Sequence, residues 1–112
     1  MNRGKIILAT TTLVGLLAFS GCASTSETMM QKGYGPSYSK GYEDGCESGK
    51  KAGGGMFNEF RKNVNRYDRE YKYREGWEDG YRQCKGEEKA LMHSIEENQR
   101  MEMEREAIER NR

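Results

Sequence analysis

Residues 38–50 read YSKGYEDGCESGK, and residues 73–85 read YREGWEDGYRQCK. Laid over each other at an offset of 35, Tyr38 meets Tyr73, Gly41 meets Gly76, and Tyr42 meets Trp77. Glu43-Asp44-Gly45 then meets Glu78-Asp79-Gly80, and Lys50 meets Lys85. The shared pattern is Tyr-x-x-Gly-aromatic-Glu-Asp-Gly. Self-similarity at a fixed spacing means one structural unit used twice. Two copies are too few for a solenoid, so the expectation is two like elements packed on one another.

The glycine spacing suggests what the element is. Gly41, Gly45, Gly49 and Gly53 recur every four residues, as do Gly76, Gly80 and Cys84. On an α-helix residues four apart share a face. A row of glycines there makes a flat groove that lets a second helix come close, the small-xxx-small logic of membrane helices. Both segments are too charged for lipid, so the reading is a close crossing of water-exposed helices. Tyr34, Tyr38 and Tyr42 flank one groove, and Tyr73, Trp77 and Tyr81 the other, supplying apolar area. The competing reading is turns and loops, because each glycine costs a helix interior about 1 kcal/mol relative to alanine.

Outward from the repeats, Gly53-Gly54-Gly55 reads as a break. Phe57, Phe60, Val64, Tyr67 and Tyr71 then recur at spacings of three and four, which predicts an amphipathic helix over 56–72. Residues 56–74 carry six basic residues against three acids. A solvated helix face explains this excess; weak attraction to anionic lipid is the functional alternative. Residues 87–112 are nearly all polar and rich in helix formers, a charged tail that is helical or partly disordered. Residues 22–37 are polar, contain the only proline, Pro36, and read as a flexible tether.

The first residues carry a different signal. Arg3 and Lys5 precede an apolar run from Ile6 to Phe19, and the small Ser20 and Gly21 lead into Cys22. This is the layout of an export signal, with an apolar stretch too short to cross roughly 30 Å of hydrocarbon comfortably. Phe19-Ser20-Gly21-Cys22 resembles the lipobox of bacterial lipoproteins, with Phe19 standing where that family carries Leu. The resemblance covers residues 1–23 only. It implies cleavage before Cys22, a lipid on its sulfur and an acyl chain such as palmitate on its new amino group. Two or three chains hold a protein on a bilayer where one does so marginally. Ala23, in place of the Asp that retains such proteins at the inner membrane, implies the periplasmic face of the outer membrane. An uncut membrane anchor and a secretory signal cut elsewhere are the alternatives.

Without Arg3 and Lys5 the remainder holds 17 basic and 18 acidic residues, a balance that does not suit nucleic acid. Val64, Leu91, Ile95 and Ile108 are its only aliphatic residues of that kind, so a staple is needed. Once Cys22 is lipidated, Cys46 and Cys84 form an even pair, and in an oxidising periplasm this reads as a disulfide. Free or intermolecular thiols are the alternative, and an antiparallel helix crossing with staggered repeats is one way to bring the two together. The fold expected is mostly α: a helical hairpin or small bundle, disulfide-stapled, with a long charged C-terminal helix.

Little points to catalysis. His93 is the single histidine, and the cysteines lack Cys-x-x-Cys spacing. No catalytic residue, cofactor, metal site or small-molecule substrate is expected. The reading is a membrane-anchored module that binds another envelope protein, of the secretion-accessory, envelope-maintenance or exclusion type. The expected binding surface is Tyr38, Gly41, Tyr42, Gly45, Tyr73, Gly76, Trp77, Gly80 and Tyr81. The alternative is an ion- or ligand-binding lipoprotein that uses Glu43-Asp44 and Glu78-Asp79, although these lack the six to eight oxygens that Ca²⁺ takes.

Overall fold

A computed structural model describes residues 23–112. Cys22 and the leader lie outside the described residues. The described chain is mostly helical, with α1 over Thr25–Gln31, α2 over Pro36–Gly53, α3 over Val64–Arg69 and α4 over Tyr71–Arg110. Both repeats are helices, the glycines within them included, and Gly53-Gly54-Gly55 ends the first as the sequence suggested.

The two repeats lie side by side, parallel and in register. Gly41 faces the Tyr73 carbonyl, Gly45 the Trp77 carbonyl and Gly49 the Tyr81 carbonyl. The contact therefore advances along both helices in the same direction. α2 begins at Pro36 and α4 at Tyr71, the same offset of 35 that relates the repeats. The antiparallel crossing considered from the sequence is thus replaced by a parallel one. Parallel helices need a return connection along their full length. Residues 54–70 make it, and this is where the amphipathic helix predicted over 56–72 is corrected.

Only Val64–Arg69 of that segment is helical. Gly54 takes a left-handed φ of 115° and caps α2, its amide and that of Gly55 returning to Lys50 and Lys51. Residues 57–63 then run without helical structure as a strap along the helix pair. α2 and α4 supply the hydrogen bonds that a helix would have made internally. Ser48 Oγ accepts from the Arg61 amide at 2.7 Å and lies 2.7 Å from the Arg61 carbonyl. Trp77 Nε1 donates to that carbonyl at 2.8 Å, and the Asn63 amide donates to the Tyr73 hydroxyl at 2.9 Å. Side chains fixed on neighbouring helices outweigh the local periodicity, and Phe57, Phe60 and Val64 end up exposed.

The expected tether is corrected too. Ser24 caps α1 in a reciprocal box with Glu27, and the Ser26 amide donates to Glu43 on α2 at 2.9 Å. Burial alone would raise the Glu43 pKa; the Ser26 amide and Lys40 outweigh it and hold the carboxyl at about 2, against an ordinary 4.5. A depressed carboxylate pKa gives stability that is complete above 4.5 and lost as pH falls toward 2. Acidification through that window should therefore release α1 from α2. Amide exchange at Ser26 should be protected near pH 5 and unprotected near pH 2; protection unchanged across the window would place the α1 contact elsewhere.

The tail is one helix with the second repeat. α4 spans 40 residues, about 60 Å. Every residue from His93 to Arg112 is exposed, so nearly half of α4 stands clear of the other described helices.

Candidate functional site

The repeated residues are the joint between the helices. In each copy the motif tyrosine reaches the aspartate of the other. Tyr38 donates to Asp79 at 2.8 Å, and Tyr73 donates to Asp44 at 2.7 Å. The first glycine of each copy sits on the carbonyl of the other copy's tyrosine: Gly41 on Tyr73, Gly76 on Tyr38. The second sits on the carbonyl of the other copy's aromatic: Gly45 on Trp77, Gly80 on Tyr42. A Cβ at any of the four would overlap that oxygen, and its carbonyl carbon would lie at 2.7 to 3.0 Å. The pattern Tyr-x-x-Gly-aromatic-Glu-Asp-Gly is thus a self-complementary helix-pairing motif, written twice in one chain.

The surface expected to bind a partner is accordingly spent within the molecule. Gly41, Gly45, Gly76, Gly80, Tyr73 and Trp77 are buried. Tyr38, Tyr42 and Tyr81 remain half-exposed. The Cys46–Cys84 disulfide is present, with Cα atoms 5.0 Å apart. Cys46 corresponds to Tyr81 and Cys84 to Gly49, so the bond joins the helices about one turn out of register.

The acidic pairs are engaged rather than gathered. Asp44, buried, accepts from Tyr73 and pairs with Lys40 at 3.1 Å. Glu43 takes Lys40 and the Ser26 amide, Glu78 takes the Tyr67 hydroxyl, and Asp79 takes Tyr38 and Arg82. Burial first, opposed by the Asn63 amide and reinforced by Asp44, pushes the Tyr73 phenol up to about 12. Burial and the Asp79 carboxylate raise Tyr38 in the same way. Both phenols therefore stay protonated as donors at neutral pH.

The pairing leaves two grooves, one on each side of the helix contact. The first is bounded by Asp44 and Ser48 of α2 and by Tyr73 and Trp77 of α4, and the strap fills it. Besides the bonds at Ser48, Tyr73 and Trp77, Glu47 accepts from the Asn58 side chain and the Glu59 amide, both at 3.2 Å. Lys62 lies 3.6 Å above the Tyr67 ring and 4.5 Å above the Trp77 ring, an arrangement that favours a cation. Phe60 meets Trp77 edge-on with centroids 5.9 Å apart. The second groove is open, with a volume of about 580 Å³, and is lined by Tyr42, Asp79, Arg82, Gln83, Gly86 and Glu87. Ser48, Glu47 and Gln83 were not singled out from the sequence, whereas Arg82 was expected as a salt-bridge partner of the acidic pairs and does pair with Asp79. Glu47-Ser48 and Arg82-Gln83 occupy matching repeat positions but differ in residue type, so the repeat alone did not mark them.

No family model, curated protein or solved structure matches the chain. Function must therefore be argued from the residues themselves.

Proposed function

We propose that the chain is a small bacterial lipoprotein, anchored through Cys22 and serving as a non-catalytic protein-interaction module on the periplasmic face of the outer membrane. The observation that carries this reading is the run from Arg3 through the apolar stretch to Phe19-Ser20-Gly21-Cys22. Two further features support it. A disulfide between Cys46 and Cys84 suits an oxidising compartment. Lipid on Cys22 would supply the attachment for the described residues, among which no helix is long and apolar enough to cross a membrane. A folded unit with a 40-residue helix reaching out of it suits an accessory of secretion, envelope maintenance or exclusion, tethered beside a larger partner.

Metabolic labelling with palmitate tests the anchor. Label should enter the wild-type chain and vanish in Cys22→Ser, which should leave the membrane fraction. Label retained by Cys22→Ser contradicts lipidation at that residue.

A further inference from the structure

The two grooves flanking the helix pair are related by the repeat, and only one is filled. At the offset of 35, Asp44 corresponds to Asp79, Glu47 to Arg82 and Ser48 to Gln83, while Trp77 corresponds to Tyr42. The groups that seat the chain's own extended strap on one side thus have counterparts on the other. There they line open space instead of polypeptide. Among the described residues Gln83 bonds only to Glu87 within its own helix, at 2.6 Å, and Arg82 only to Asp79, at a long 3.5 Å; both are exposed.

We propose that the open groove takes an extended segment of a partner protein, one carrying an aromatic residue followed by basic residues. The strap is the template: Phe60-Arg61-Lys62 lays its backbone on Ser48 and Trp77 and its lysine over aromatic rings. In the open groove Gln83 and Arg82 offer backbone-bonding groups where Ser48 and Glu47 do so opposite. Tyr42, continuing the ring series Tyr34–Tyr38–Tyr42, is the aromatic wall. Asp79 and Glu87 outnumber Arg82 in the lining, and this negative excess favours a basic segment over an acidic one. Burial first, then Glu87 and Asp79, raises the Tyr42 phenol above its ordinary pKa, consistent with an acidic groove.

This deepens the interaction-module reading and rests on it. The anchor and the groove can fail separately, since palmitate reports on Cys22 and the following titration on Tyr42 and Gln83. The full chain in detergent is titrated with the capped peptide MFNEFRKN, the sequence of residues 56–63, and followed by nitrogen-15 NMR. Saturable shifts should appear at the Tyr42 amide and the Gln83 side chain. Tyr42→Ala should weaken binding about fivefold, the scale of one cation–aromatic contact, and replacing the peptide's Arg-Lys by Glu-Glu should do at least as much. Gln83→Ala, on the exposed face of α4, supplies a second variant should Tyr42→Ala fail to fold. No saturation at millimolar peptide, shifts confined to Ser48 and Trp77, or equal affinity of the acidic peptide would each overturn the proposal.

Discussion

Replacing Gly45 by alanine should lower the stability of the helix pair by about 1–3 kcal/mol, the usual cost of forcing an extra carbon into a packed interior. The sign is the informative part. Alanine is a better helix former than glycine by about 1 kcal/mol, so propensity alone would stabilise α2. At Gly45 the added carbon overlaps the Trp77 carbonyl, and Trp77 Cα lies only 2.8 Å away. These are backbone atoms and cannot swing aside, so the helices must separate. Separation stretches the Tyr38–Asp79 and Tyr73–Asp44 bonds on either side. Gly86→Ala is the internal control. It lies in the same long helix as Gly80 with nothing within 4 Å of the added carbon, so it should raise stability by up to about 1 kcal/mol. Urea melts followed by circular dichroism compare the two. A stabilising Gly45→Ala would mean that the helices do not touch there.

Removing the disulfide should cost about 4 kcal/mol, the loop-closure value for a bond spanning 38 residues. That is a large share of the roughly 5–15 kcal/mol that holds an ordinary domain folded. Few other sources compensate, since the buried apolar side chains are Tyr73, Trp77 and the two cysteines themselves. Cys46→Ser with Cys84→Ser should therefore free the helix pair and with it the strap, whose seats are Ser48, Tyr73 and Trp77. Non-reducing and reducing denaturation curves of the wild type provide the same comparison without substitution. A shift below about 1 kcal/mol would show that packing alone holds the pair.

The pairing was legible in the sequence to a defined depth. The repeat announced two like elements, the four-residue glycine spacing announced their close approach, and the cysteine count announced the staple. Direction was not legible, because a glycine ridge accepts a second helix in either orientation. The deciding features are the Tyr38–Asp79 and Tyr73–Asp44 bonds, which join positions six apart in the motif across to the other copy, and the length of residues 54–70. The strap was misread because Phe57, Phe60, Val64, Tyr67 and Tyr71 do recur at helical spacing. The backbone of Arg61 and Asn63, between them, nonetheless bonds to Ser48, Tyr73 and Trp77, long-range partners that no local pattern encodes. The stretch holding α1 was read as a tether; its docking depends on Glu43, seventeen positions beyond Ser26. The same glycines and aromatics that looked like a binding face are consumed in binding the other copy.

The central claim is that the two copies of the motif lie parallel and in register. The most direct test is the set of short proton–proton distances across the helix contact by NMR. The account predicts cross-peaks from the Gly45 α-protons to Trp77 and from the Gly80 α-protons to Tyr42, with Gly41 to Tyr73 and Gly76 to Tyr38 one turn earlier. Cross-peaks whose positions fall along α4 as they rise along α2, such as Gly41 to Lys85 with Gly49 to Tyr73, would contradict it.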